Sequence, residues 1–269
     1  MSISLKVNNL KVDVQHFTFN GGEEQVKINQ SALPRGSIGE IVVQANIKSS
    51  TDAMTLVVLT DAIHRLAGIN KTTKFVLKMP YVPYARQDRV MTSGEALSIK
   101  AFSTLINSLN YDEVHIDDPH SDVTYSVLNN TIIHHQHELF QEYMNISSVN
   151  FHPEKADVVI APDAGARKKA QKIADVLGKT LIEAGKSRNV ETGEITGSVI
   201  YGDVKDKVCI IVDDIIDGGG TFVKLSEVLK REGAKYVILY ATHGIFSRGK
   251  ELNYIDEVHA FHDWTINFN

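Results

Sequence analysis

The chain has 269 residues, 43% of them hydrophobic and 23% charged, a length and composition that suit one large or two modest globular α/β domains with an ample core. Its net charge of -5 excludes a nonspecific nucleic-acid binder, so an anionic substrate must meet a local basic site. The single cysteine, Cys209, allows no intramolecular disulfide framework, and no apolar run reaches membrane length; a cytoplasmic protein with neither nucleic-acid nor membrane partner is expected.

In chain order, the segment up to about Phe19 predicts one or two short strands. A turn at Phe19-Asn-Gly-Gly-Glu23 follows, then the alternating strand EQVKI and a further strand at Gly39–Gln44. Thr51 or Asp52 can cap a helix in which Met54, Val57, Val58, Ala62 and Leu66 share a face. After a strand at Lys74–Met79 comes PYVPYARQDRV, which is aromatic, basic and broken by two prolines, and therefore a loop. Gly94 and Glu95 lead into a helix through Leu97, Phe102, Leu105, Ile106 and Leu109, and the strand Glu113–Asp117 ends in Asp118-Pro-His120. Residues from about Phe140 to Pro153 read as the link to a second α/β unit.

That unit repeats the layout. It has a strand at Asp157–Ala161, a helix through Ile173 and Leu177, a strand at Thr180–Ile182, a glycine-bearing excursion and a strand at Tyr236–Tyr240. Within it lies VCIIVDDIIDGGGT, residues 208–221: a buried apolar strand, the carboxylates Asp213, Asp214 and Asp217, three glycines, and the start of a helix with Phe222, Leu225, Val228 and Leu229 on one face. A strand, a glycine loop and a helix N-terminus make an anion site, because glycines let backbone N–H groups approach a phosphate and the helix dipole favours negative charge. Carboxylates beside such a cradle face something else, namely sugar hydroxyls or a metal. No G-x-G-x-x-G opens this helix, so a dinucleotide fingerprint is absent. Alternating strands and helices imply two mainly parallel sheets with right-handed crossovers.

Taken together, these motifs resemble the ribose-phosphate diphosphokinase (phosphoribosyl-diphosphate, or PRPP, synthetase) family, whose sugar-phosphate loop is also that of the type I phosphoribosyltransferases. The resemblance runs from about Phe19 to His262. It implies two tandem phosphoribosyltransferase-like domains, each a mainly parallel sheet flanked by helices: 1–146 binding ATP and 147–252 binding ribose phosphate, with the tail 253–269 packing back on the first. Phe19, Gly21 and Glu23 are similar to the family's F-x-[DN]-G-E turn toward adenine, with Gly21 in place of the acid or amide; taken alone, Phe19 reads as a core aromatic. Arg86, Gln87, Asp88 and Arg89 match its Y-A-R-Q-D-R loop, where planar guanidinium groups suit triphosphate oxygens. His120 resembles a histidine in metal–triphosphate contact, with Pro119 replacing the common Leu.

Asp163 in Pro162-Asp-Ala-Gly165 matches an aspartate that takes part in metal binding, with Ala166 in place of a second glycine. Lys186 and Arg188 match the K-x-R of a catalytic flap, here followed by a hairpin with turns at Gly193 and Gly197. The resemblance then assigns Asp213, Asp214, Asp217, Gly218, Gly219, Gly220 and Thr221 to the ribose phosphate, Mg2+ as cofactor, ATP and a ribose 5-phosphate moiety as substrates, and a homo-oligomer with shared sites. His134, His135 and His137 match no family ligand and read as local structure. Where the family loop reads D-T-G-G-T this chain has Gly218, which removes a donor and clears room for a 5-diphosphate ester such as ADP-ribose. A true phosphoribosyltransferase would need a nucleobase hood, whereas the first domain carries ATP-type motifs. A non-catalytic family subunit would have lost cations that are present here.

Overall fold

Each strand followed by an apolar-faced helix needs a sheet to cover, and the chain satisfies that need twice, in units 1–134 and 135–269. The structure is a computed structural model that describes residues 2–146, 148–188 and 195–266; the side chains of 186–188 and 195–197 lie outside that description.

The first unit contains β1 (Ile3–Val7), β2 (Leu10–Val12), β3 (Val14–Thr18), β4 (Glu24–Ile28), β5 (Glu40–Ala45), α1 (Ser50–His64), β6 (Lys74–Lys78), α2 (Ser98–Asn107), β7 (Glu113–Asp117), α3 (Asp122–Val127) and β8 (Thr131–His134). Its sheet runs β2-β1-β5-β6-β7-β8, parallel from β5 to β8 and antiparallel at β1 and β2, with β3 and β4 forming a separate hairpin. Leu5, Ile41, Leu56, Leu59, Ile63, Leu77, Ile99 and Ile106 make its core.

The predicted face of α1 is met in part: Leu66 is buried and Val57, Val58 and Ala62 pack half-buried against the core, whereas Met54 is exposed. The most deeply buried positions are Leu56, Leu59, Thr60 and Ile63, with Ser49 rather than Thr51 or Asp52 as the cap. Both flanks of this helix are apolar, so sequence spacing alone could not choose between them. Glu95 accepts hydrogen bonds from the amides of Met91 (2.9 Å) and Thr92 (3.1 Å), and this local turn delays α2 until Ser98.

The second unit contains α4 (Gln136–Met144), β9 (Val158–Ala161), α5 (Arg167–Leu177), β10 (Thr180–Arg188), β11 (Ile195–Ile200), β12 (Val208–Ile216), α6 (Gly220–Arg231), β13 (Tyr236–Gly244) and β14 (Glu257–Asp263). The sheet order is β11-β10-β9-β12-β13-β14, parallel throughout except for the β10–β11 hairpin. Ile210 and Val212 pack on one face with Phe140, Ile173 and Tyr240, while Ile211 packs on the other with Phe222, Leu225 and Leu229. A strand covered on both faces is apolar without alternation, which is the pattern Val208–Val212 shows.

The first unit ends at His134 and the second begins at His135, so α4, which overlaps the start of the expected linker, is counted in the second unit. Within that unit β14 pairs in parallel with β13, Lys230 bonds Asp256 at 2.6 Å, and Lys250 pairs with Asp263.

Cys209 is fully buried, and burial pushes its thiol up to about 11. The native protein should therefore release no thiolate to a disulfide reagent until it is unfolded, as absorbance would record. In the first core the Thr60 hydroxyl lies 2.8 Å from the Tyr111 hydroxyl. Thr60→Val leaves that phenol buried without this partner and should cost about 1–3 kcal/mol in urea denaturation.

Candidate active site at the strand ends

The order of the second sheet reverses between β9 and β12: successive strands run outward from β9 to β10 in one direction and from β12 to β14 in the other. Crevices at such reversals, beyond the carboxyl ends of the strands, are where open α/β sheets bind ligands. The loop after β9 carries Asp163, and the end of β12 carries Asp213, Asp214 and Asp217.

Asp163 Oδ1 accepts hydrogen bonds from the amides of Gly165 (2.9 Å) and Ala166 (3.1 Å), folding the entry to α5. Asp213 holds the Asp214 amide at 2.9 Å, and its carboxyl is pushed well above the usual carboxylate range, first by burial and then by the charge of Asp214. Lys169, projecting from α5, reaches to 4.0 Å of Asp214 Oδ2. Gln136 of α4 donates to the Asp213 carbonyl at 2.6 Å. Among the described residues there is no cluster of three or more His, Cys, Asp or Glu side chains arranged to hold a metal.

Beyond β12 the chain passes through Gly218 and Gly219 into α6, whose N-cap is Gly219, with no side-chain cap. Val223 is the residue whose amide bonds back to the Gly219 carbonyl, at 3.0 Å, so the amides of Gly220, Thr221 and Phe222 precede the intrahelical ladder. An uncapped helix end with free-standing amides favours an anion.

The two loop glycines exist for different reasons. Gly219 has φ +73°, and a Cβ there would meet Leu252 at 2.5 Å. Gly218 has no such backbone demand, but the stem of Arg248 lies across it, 3.3 Å (Cδ) and 3.4 Å (Nε) from where a Cβ would stand.

Lys186 and Arg188 lie on β10, paired in the backbone with Ser198 and Ile195 of β11 across a bulge after Ser187. Their side chains are outside the described residues, as is the expected turn at Gly193; Gly197, the other expected turn, instead sits within β11.

In the first unit, the motifs are brought to the ends of neighbouring strands β6 and β7. Tyr84 turns the chain with φ +64°, and its carbonyl accepts from Gln87 N at 2.9 Å. Arg89 bonds Asp88 at 3.0 Å and, with smaller contributions from Ser121 and His120, holds that carboxyl below its ordinary range. Asp118, buried and at φ +41°, redirects the backbone so that Pro119 and His120 follow beyond the strand end.

Phe19, Gly21 and Glu23 form the tip of the β3–β4 hairpin. Phe19 is 54% exposed rather than a core residue, and stacks edge-on with Phe17 at 5.3 Å. The Glu23 carboxylate lies over Gly21, 2.5 Å from where a Cβ would stand. His134, His135 and His137 have local partners: His115 bonds His134 at 3.1 Å, and His135 stacks on His137 while capping α4.

Gln136 and Arg248 escaped sequence reasoning, whereas Lys169 belongs to the basic pair, Lys168 and Lys169, that follows the Asp163 motif. Gln136 and Arg248 act on the site from distant elements, and neither belongs to a local motif. Replacing Gln136 by Leu strips the Asp213 carbonyl of its donor and should lower stability by about 1–3 kcal/mol in urea denaturation.

Two domain models cover most of the chain: the N-terminal domain of ribose phosphate pyrophosphokinase at residues 2–109 and the phosphoribosyl transferase domain at 129–263. Both units are thus phosphoribosyltransferase-like α/β domains. A ribose-phosphate pyrophosphokinase of Pyrococcus abyssi is 31% identical over 92% of this chain and 81% of its own length. One from Campylobacter jejuni is 34% identical over 85% and 71%, respectively. A crystal structure of phosphoribosylpyrophosphate synthetase from Mycobacterium smegmatis superposes with a TM-score of 0.70 at 29% identity, covering 87% of this chain and 73% of that one. The chain belongs to the ribose-phosphate pyrophosphokinase family, a class of diphosphotransferases.

Proposed function

We propose that the chain transfers the β,γ-diphosphoryl group of Mg-ATP to the C1 hydroxyl of ribose 5-phosphate, giving PRPP and AMP. The observation that carries this reading is the uncapped N-terminus of α6 beside Asp213 and Asp214 at the sheet's reversal point, in a chain matched along most of its length by pyrophosphokinases.

The amides of Gly220 and Thr221 and the Thr221 hydroxyl bind the 5-phosphate, with Gly218 and Gly219 letting it approach. Asp213 and Asp214 take the ribose hydroxyls, and Asp217 borders the loop. Arg86, Gln87, Arg89 and His120 hold the triphosphate, Asp88 orients Arg89, and the hairpin tip with Phe19, Gly21 and Glu23 reaches adenine, across a subunit boundary in a homo-oligomer.

The C1 oxygen attacks the β-phosphorus as the bond from that phosphorus to the α,β-bridging oxygen breaks. AMP leaves with the bridging oxygen, and the hydroxyl proton passes to solvent. Lys186 and Arg188 stabilise the charge that develops on the transferred group, and the protein's contribution is chiefly positioning and neutralisation.

The Asp213–Asp214 pair fits Mg2+: its donors are hard oxygens, and the raised Asp213 carboxyl marks negative charge that a cation would relieve. His120 and Asp163 complete the proposed metal contacts in their respective units. Bound magnesium would neutralise triphosphate charge and align the leaving group. A cytoplasmic setting fits the substrates.

Incubation with Mg-ATP and ribose 5-phosphate should yield AMP and a diphosphorylated sugar by mass spectrometry, and chelation of divalent cations should abolish both. AMP from neither ribose 5-phosphate nor ADP-ribose would reject the reading in favour of a non-catalytic subunit. Lys186→Ala and Arg188→Ala should each lower kcat about 100- to 1,000-fold while changing KM for ATP less than about threefold.

A second acceptor, a 5-diphosphate ester such as ADP-ribose, is favoured by one observation: residue 218 has no side chain, and a guanidinium stem lies over it. Gly218→Thr should lower the ratio of kcat/KM for ADP-ribose to that for ribose 5-phosphate by about tenfold, measured by AMP release.

A further inference from the structure

Arg248 lies four residues beyond β13, yet it is held against the loop that precedes α6. The amides of Ile245 and Phe246 donate to the Ile216 carbonyl at 2.7 and 3.3 Å, tying the segment to the end of β12. Phe246 turns the chain at φ +53° with its ring buried, and Gly249 closes the turn by donating to the Phe246 carbonyl at 2.9 Å. Lys250 is anchored by Asp263 on β14, and Leu252 packs over Gly219. The turn therefore lays residue 248 across residue 218 and residue 252 across residue 219.

The absence of a side chain at Gly218 lets the arginine lie close: a Cβ there would stand 3.3 and 3.4 Å from Arg248 Cδ and Nε, and the arginine would have to give by a few tenths of an ångström. The arginine is exposed, and no ion pair or hydrogen bond joins its guanidinium to any described residue. By contrast, Lys250 two residues on is neutralised by Asp263. An uncommitted, permanently charged planar group with its root over the anion loop has the chemistry to bind phosphoryl oxygens in pairs.

Resting on the proposed acceptor site, we infer that Arg248 is a specificity-determining residue that binds the 5-phosphoryl end of the acceptor, including any phosphoryl group esterified to it. The loop amides supply neutral donors on one side of that group, and Arg248 supplies the positive charge on the other. The residue acts on acceptor affinity, and neither the bond-breaking step nor ATP affinity depends on it.

The test is calorimetric titration of the full chain with ribose 5-phosphate, and separately with ADP-ribose. Both are run with Mg2+ and α,β-methylene-ATP, whose bridging carbon blocks transfer. Arg248→Gln keeps the stem that packs on Gly218 and removes the charge, and Arg248→Lys keeps a charge without the fork. The wild type should bind at least one acceptor. Arg248→Gln should weaken that binding about tenfold or more, with Arg248→Lys intermediate and circular dichroism melting unchanged. In turnover, the variant's KM for the acceptor should rise by the same factor while kcat and KM for ATP stay within about twofold. Acceptor binding within twofold of wild type in Arg248→Gln, or a wild type that binds neither acceptor, overturns the inference. AMP formation reports separately on the reaction. Binding weakened by Arg248→Gln without turnover rejects the diphosphokinase reading and keeps this one, whereas turnover with an unchanged acceptor KM does the reverse.

Discussion

A parallel strand buried on both faces can present polar side chains only at its end. The structure of the second unit follows from that constraint at β12. Cys209 to Val212 are fully buried between α6 on one side and α4 and α5 on the other, so Asp213 stands where the covering helices stop. The sheet order reverses beside this strand, and Asp163 in the loop after β9 and the aspartates at the end of β12 therefore flank one crevice. Concentrating carboxylates there has a cost, visible in the raised Asp213 carboxyl, and that cost is the reason a cation or a set of sugar hydroxyls is the fitting occupant.

The anion side of the crevice is built from backbone. Gly219 takes a left-handed turn that leaves the start of α6 uncapped, and the turn after β13 folds over the loop so that Leu252 and Arg248 cover its two glycines. Apolar cover over Gly219 and a cationic stem over Gly218 give adjacent positions opposite environments. In the proposed acceptor site, a phosphoryl group there would meet amides along the helix axis and one guanidinium beside them, dividing positioning from charge compensation.

The first unit solves a parallel problem with side chains. Its motifs lie in loops after β6 and β7, and the left-handed residues Tyr84 and Asp118 turn those loops away from the strands. Asp88 links them, its carboxyl lowered first by Arg89, then by a hydrogen bond from Ser121 and least by His120. The β3–β4 hairpin instead projects an exposed aromatic pair, Phe17 and Phe19, whose burial must come from outside the hairpin itself if it comes at all.

By itself the sequence determined the local features. The apolar run before Asp213, the glycine loop and the proline-broken basic loop each depend on neighbouring residues, and each formed where its periodicity or turn chemistry placed it. Tertiary structure decided what depends on residues far apart. The face of α1 was ambiguous because apolar residues lie on both its flanks, and the packing of Leu56, Leu59 and Ile63 chose one. The segment 257–263 became a sheet edge because its backbone found β13, a pairing that no property of EVHAFHD alone requires. Gln136, Lys169 and Arg248 reached the site from helices and turns up to 77 positions away by the folding back of the chain, and Arg248 came to lie across Gly218 only through that folding. Propensity and periodicity are properties of neighbours in sequence; contact is a property of the folded chain.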